Sequence, residues 1–308
     1  MSNTSESENN SSVCANCGKG EEASIDLKAC TACKLVKYCN RDCQIAHRPQ
    51  HKKDCKKRAK ELHDEKLFKQ PPPKEDCPIC FIRLPTLDTG KRYNACCGKV
   101  MCSGCVHAPV YDDQGNEVDS EKCPFCRVPF VPESDEENIK RIKKRVEAGD
   151  AMAMHTLGVY YDKGIHGFPQ DYTKALEFYH MAAELDNADA YHNIGCAYDN
   201  GEGVEVDAKK ALYYYEQAAI RGNGVARNNL GNSEVLAGNM DRMVKHRIIA
   251  AGAGDDKSLE QIKLMYSNGD ATKDDYMKAL LSYQIYLSEI KSVQRDKAAA
   301  DDEDNRYY

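Results

Sequence analysis

The sequence predicts a mainly α chain, an α-solenoid of helix pairs preceded by two small zinc-binding domains. Three observations carry this expectation. Fifteen of the sixteen cysteines fall between Cys14 and Cys126. Most of them stand in Cys-x-x-Cys pairs. Beyond Pro132, cysteine almost vanishes and short segments rich in Ala, Tyr and Leu recur at a near-constant period. A length of 308 residues leaves room for about two or three domains.

The opening MSNTSESENNSS has no basic segment and no apolar stretch, so the cysteines read as metal ligands of a reducing compartment rather than as disulfides. The cytoplasm, the nucleus or both are the expected location. A net charge of −6 supplies no broad positive field for a nucleic-acid backbone, and no 18-residue apolar run exists to cross a membrane. Other proteins are therefore the expected partners.

Residues 1–12 hold no apolar periodicity and are expected to be disordered. The first cysteine block reads Cys14-x-x-Cys17, Cys30-x-x-Cys33, Cys39-x-x-x-Cys43 and His51-x-x-x-Cys55. Eight such donors suffice for two tetrahedral zinc ions at about 2.0 to 2.3 Å. So short a segment with few large apolar side chains cannot fold by burial alone; structural zinc adds on the order of 10 kcal/mol. The spacing over 14–55 resembles the MYND finger, including the five residues before Cys39 and the seven between Cys43 and His51. The resemblance implies cross-braced sites, with Cys14, Cys17, Cys39 and Cys43 on one ion and Cys30, Cys33, His51 and Cys55 on the other. His47 is then a bystander. It also implies docking of short proline-containing peptides and no catalysis.

The cations Lys52, Lys53, Lys56, Lys57, Arg58 and Lys60 are followed by Glu61, Asp64 and Glu65, so a solvated helix face is the plain reading, with a localisation or phosphate patch as the alternative. Residues 56–76 read as a linker stiffened by Pro71, Pro72 and Pro73.

The second block, 77–127, reads Cys77-Pro-Ile-Cys80, Cys96-Cys97, Cys102-Ser-Gly-Cys105 and Cys123-Pro-Phe-Cys126-Arg127. It resembles a RING finger in which Lys99 stands where a ligating histidine is usual. Eight sulfurs remain if Cys96 and Cys97 both ligate. The resemblance then pairs Cys77, Cys80, Cys102 and Cys105 on one ion and Cys96, Cys97, Cys123 and Cys126 on the other. That makes four zinc ions per chain. Substitution by His107, one empty site, or a redox Cys96–Cys97 pair are the alternatives.

A RING finger implies ubiquitin transfer by positioning: it holds a charged ubiquitin-conjugating enzyme and performs no covalent step. Ile79, Pro124 and Arg127 match the family's contact positions, Arg127 at its linchpin arginine, whose fork can bond enzyme and ubiquitin together. Against this, the chain has no tryptophan, and Val106 to Lys122 is largely polar. The expectation is a zinc-binding protein-interaction protein, either a RING-type ubiquitin ligase or ligase subunit whose repeats recruit an unknown client. The alternative is a non-catalytic scaffold.

Over 137–290 the segments AMHTLGVYYDKG and AYHNIGCAYDNG superpose, and Gly158, Gly195 and Gly231 stand 37 and 36 residues apart. Lys-Ala-Leu recurs at 174–176, 210–212 and 278–280, with Ala-Ala at 182, 218 and 250. Leu157 with Tyr161, and Ile194 with Tyr198, share helix faces that must be buried. Asp171, Asp207 and Asp275 are expected to cap second helices, and Gly164 and Gly201 to end first ones. This pattern resembles Sel-one-like repeats, relatives of the tetratricopeptide repeat, with four units of two helices. The third unit has a shorter loop, and the fourth has Lys263 in place of glycine. Ile139, Ile142 and Val146 form a preceding capping face, the tyrosines are mostly core with a ligand groove as the alternative, and Cys196 fills core. Residues 291–308 are expected to be an acidic disordered tail.

Overall fold

The computed structural model describes residues 13–20, 26–72, 75–86, 89–108, 110–111, 114, 117–118, 122–131, 136–302 and 305–307. The disorder expected for 1–12 lies outside them. The chain forms two compact units, Met1–Lys69 and Gln70–Tyr308.

In the first unit β1 (Lys28–Ala29) pairs antiparallel with β2 (Lys37–Tyr38), Lys28 opposite Tyr38. Asn40 then caps α1 (Arg41–Leu67) by accepting from the Cys43 amide at 2.8 Å. Among the described side chains of α1 only His51 and Leu67 are buried, so apolar packing does not hold this helix. Its donors Cys43, His51 and Cys55 lie eight and four residues apart, on one face, and tie it to the hairpin. The expected linker beginning at 56 is corrected: α1 continues twelve residues past Cys55.

The second unit opens with β3 (Lys91–Asn94) antiparallel to β4 (Lys99–Cys102), the short α2 (Ser103–Val106), and β5 (Val110–Tyr111) paired with β6 (Glu117–Val118). The helices α3 (Glu136–Glu147), α4 (Ala151–Lys163), α5 (Tyr172–Glu184), α6 (Ala188–Asn200) and α7 (Ala208–Ile220) follow. Then come α8 (Gly224–Leu236), α9 (Met240–Gly252), α10 (Asp256–Asn268), α11 (Lys273–Ile290) and α12 (Val293–Asp301). Helices α4 to α11 are the four pairs the period requires.

Asp171 accepts from the Lys174 amide and Asp207 from those of Lys209 and Lys210. In the last pair the cap is instead Thr272, and Asp275 closes a capping box onto it. Gly164 and Gly201 end their helices in the left-handed conformation, at φ 63° and 78°. Tyr160, Tyr179, Tyr215 and Tyr286 are buried, so these tyrosines are core. The third pair departs from the others: the guanidinium of Arg227, in the register of Met154, is buried and has no hydrogen-bond partner among the described residues.

The disordered tail expected over 291–308 is also corrected, because α12 lies on α2. A Cβ on Gly104 would stand 2.7 Å from the Arg295 amide nitrogen, and Gly90 leaves no room for a side chain beneath Tyr307. The Tyr307 hydroxyl donates to Asp296. Asp301 and Asp302 suggested solvation, while the buried contacts come from the few residues Arg295, Ala298 and Tyr307, too sparse to mark a helical period.

Candidate metal centres

Five turns of one design bring the ligands together. In each, the amide after the second cysteine bonds back to a carbonyl four residues earlier: Gly18 to Cys14, Lys34 to Cys30, Phe81 to Cys77, Gly98 to Asn94 and Arg127 to Cys123, at 2.8 to 3.0 Å. All five residues sit at positive φ, between 56° and 72°. Glycine takes this conformation freely, whereas Lys34, Phe81 and Arg127 take it at a cost of about 1 kcal/mol each. The turns thereby bring backbone amides onto sulfurs, those of Asn16 and Cys17 onto Cys14, Ala32 and Cys33 onto Cys30, and Cys80 onto Cys77.

Four clusters result: Cys14, Cys17, Cys39 and Cys43; Cys30, Cys33, His51 and Cys55; Cys77, Cys80, Cys102 and Cys105; Cys96, Cys97, Cys123 and Cys126. Within each, the donor atoms all lie within 4.8 Å of one another. Sulfur separations of 3.6 Å (Cys17–Cys39), 3.8 Å (Cys30–Cys55), 3.8 Å (Cys80–Cys102) and 3.9 Å (Cys97–Cys123) are far beyond a disulfide bond of about 2.05 Å. They match the edge of a zinc–sulfur tetrahedron, about 3.8 Å for bonds of about 2.3 Å. His51 presents Nε2 to Cys33 at 3.2 Å. Thiols this close oppose one another's ionisation: burial first, and the Cys30 thiol second, push Cys55 up to about 12. A divalent cation removes that conflict, so donor type and geometry both fit four zinc ions.

His47 stands outside the clusters; its Nδ1 lies 3.1 Å from the Tyr38 hydroxyl and its ring stacks on His51. His107 and Lys99 join none of the four. Cys196 lies beside His192 and Tyr215 within the array, at 3.5 and 3.6 Å. Arg127 is exposed, and so are Ile79, Phe81 and Phe125 on the two outer turns.

The second cysteine block is built into the array at both ends. At the near end the Tyr93 hydroxyl donates to Asp150 at 2.8 Å, and Arg145 donates to the carbonyls of Ala95 and Cys96 at 3.2 Å. At the far end Arg83 pairs with Glu289, and Thr86 donates to the Ala253 carbonyl. Arg295, almost wholly buried, donates to the carbonyls of Ile82, Arg83 and Ile290. Sequence reasoning missed these braces, since single polar side chains 49 to 213 residues from their partners leave no local pattern.

Residues 14–55 match the MYND finger, and 151–187 and 188–223 each match the Sel1 repeat. The chain thus carries a zinc-binding interaction finger and a helical interaction array. Among curated proteins it is 27% identical over 113 residues to the ERAD-associated E3 ubiquitin-protein ligase component HRD3B of Arabidopsis thaliana, covering 36% of this chain and 18% of that one. It is 30% identical over 100 residues to the E3 ubiquitin-protein ligase GW2 of Oryza sativa subsp. indica, covering 29% and 21%. The matches thus span about a fifth of those relatives' length. Among solved structures, a Sel1 repeat protein from Oxalobacter formigenes is 27% identical with a TM-score of 0.43, covering 49% of this chain and 64% of that one. Among the described residues no helix is long and apolar enough to cross a membrane.

Proposed function

We propose that the chain is a RING-type ubiquitin ligase, or the ligase subunit of a larger assembly, with the array recruiting the protein to be modified. One observation carries the reading: the two outer turns of the second block expose Ile79, Phe81 and Phe125 while their sulfurs stay gathered inside. Three exposed apolar side chains on two turns that the metal makes rigid form a preorganised docking surface. Arg127 follows on the same turn as Phe125, free to reach a partner's carbonyl or carboxylate. The reading requires no covalent intermediate; the block orients the charged conjugating enzyme, and the attacking lysine comes from the client. The ligase names of the two plant relatives point the same way.

The first helices of the array offer a polar ladder on which a client can bind: Asn193 lies 3.1 Å from His155 and 3.3 Å from His192, which faces Asn229 at 3.5 Å. The MYND finger takes a short proline-containing peptide of a further partner, and the thiol chemistry suits the cytoplasm or nucleus.

Single-turnover discharge of ubiquitin from a panel of conjugating enzymes tests the reading. The zinc-loaded chain should accelerate discharge, Ile79→Ala should weaken docking, and Arg127→Ala should slow discharge about tenfold at saturating enzyme, because it acts on the reactive complex. Both variants should keep four zinc ions. A fully loaded chain that accelerates discharge from no member of the panel leaves the non-catalytic scaffold as the function.

A further inference from the structure

Along one face of α3 runs a groove of about 670 Å³ lined on its other side by Ala95, Val128 and Cys96, the last a member of the fourth cysteine cluster. A smaller recess beside it shares Ala95, Cys96 and Arg141 and adds Arg92 and Phe130. The α3 wall carries Lys140, Arg141, Lys144 and Arg145, and its one carboxylate, Glu137, is paired with Arg141 at 3.2 Å. Four cations therefore line the groove, and Arg92 adds a fifth in the recess beside it, in a chain of net charge −6.

The fourth cluster accounts for part of this charge. Four thiolates on a divalent ion are formally dianionic, and Arg145 sits against the Cys96 carbonyl at 3.2 Å. Arg141 is likewise anchored, to the Pro129 carbonyl at 3.3 Å. Among the described residues Lys140 and Lys144 have no such anchor. They are exposed on the rim one helical turn apart, a like-charged spacing that repels on an isolated helix. Arg92 lies over the Phe130 ring at 5.3 Å, joining a cation to an aromatic floor. Arginines held in place by the fold, exposed lysines on the rim and an apolar floor together suit a ligand that brings both carboxylates and apolar side chains. From Glu137 to Ala148 the groove follows α3 for about 16 Å, the length of roughly five extended residues.

We propose that this groove is a docking site for an acidic, extended protein segment with interspersed apolar residues. The proposal is independent of the ligase reading, since it uses neither Ile79 nor Arg127.

The test uses the full zinc-loaded chain and a short fluorescein-labelled peptide alternating Glu and Leu, followed by anisotropy, with the Gln-for-Glu peptide and an oligothymidylate of equal length as comparisons. The Glu peptide should bind at least about tenfold more tightly than its Gln counterpart, weakening as salt rises. Lys140→Glu with Lys144→Glu should cost at least about another tenfold while native mass spectrometry still counts four zinc ions. Should that variant lose zinc, Lys140→Gln with Lys144→Gln carries the same expectation. Ile79→Ala should bind as the wild type does. Equal binding of the Glu and Gln peptides, binding unaltered by the lysine replacements, or tighter binding of the oligothymidylate would each overturn the proposal.

Discussion

A Cβ added to Gly195 would stand 2.6 Å from the ring of Tyr215, and one on Gly158 equally close to Tyr179. Both tyrosines are buried, so neither can step aside. At Gly231, the same place in the third pair, the nearest atom is 3.7 Å away. One substitution should therefore have opposite signs in adjacent units. Gly195→Ala is expected to cost about 1 to 3 kcal/mol by overpacking. Gly231→Ala should gain about 0.5 to 1 kcal/mol, because alanine fits and is the better helix former. Denaturant midpoints that move the same way in both variants would contradict this packing. Arg227 allows a second prediction at this scale. Burial lowers its pKa to about 10, so the guanidinium remains charged at neutral pH without a hydrogen-bond partner among the described residues. Arg227→Met, which supplies the residue of the first unit, should raise stability by about 1 to 3 kcal/mol. A lower melting temperature for this variant would mean that Arg227 has an anionic partner in solution.

At the scale of elements, what was legible followed from periodicity and ligand spacing. The array's helix pairs could be read because the first two repeat the demand for a glycine at the crossing and a carboxylate at the second helix start, and the period carries on into the two pairs that keep only part of it. The four clusters could be read because Cys-x-x-Cys has few other uses in a reducing compartment. What could not be read was set by geometry that single residues satisfy. Thr272 displaced Asp275 as a cap because a hydroxyl three residues ahead of a carboxylate makes a reciprocal box, which satisfies two amides instead of one. The charge run after Cys55 continues α1 as the solvated helix face read from it rather than as the linker expected from 56, and Arg58 supports it by bonding both Glu61 and Glu65, at 3.2 and 2.8 Å. The joint of the second block with the array was invisible for another reason. Arg83, Arg145 and Arg295 look like surface arginines in sequence, and only the tertiary fold supplies the Glu289 carboxylate to the first and backbone carbonyls to the other two.

That joint changes the expectation for the whole molecule. Two zinc fingers strung before an independent solenoid would lose their own structure on chelation and leave the array untouched. Here the second block spans from Asp150, at the start of the first pair, to Ala253 and Tyr286 in the later ones, and α12 lies across it. Zinc removal should therefore reach the array. About five braces at about 0.5 to 1.5 kcal/mol each sum to several kcal/mol, which for a unit of this size lowers the array's melting midpoint by about 5 to 30 °C. Cys77→Ser, with the first block intact, should produce the same fall, and Arg295→Ala about half of it with zinc retained. Cys14→Ser, in the other compact unit, should leave the array's midpoint alone. Far-UV circular dichroism against temperature, with zinc release followed in parallel, makes the distinction. A helical transition that stays fixed while all four ions leave would mean the joint contributes nothing. A transition that moves with Cys77→Ser but not with Cys14→Ser would show that the second block's metal stabilises the array.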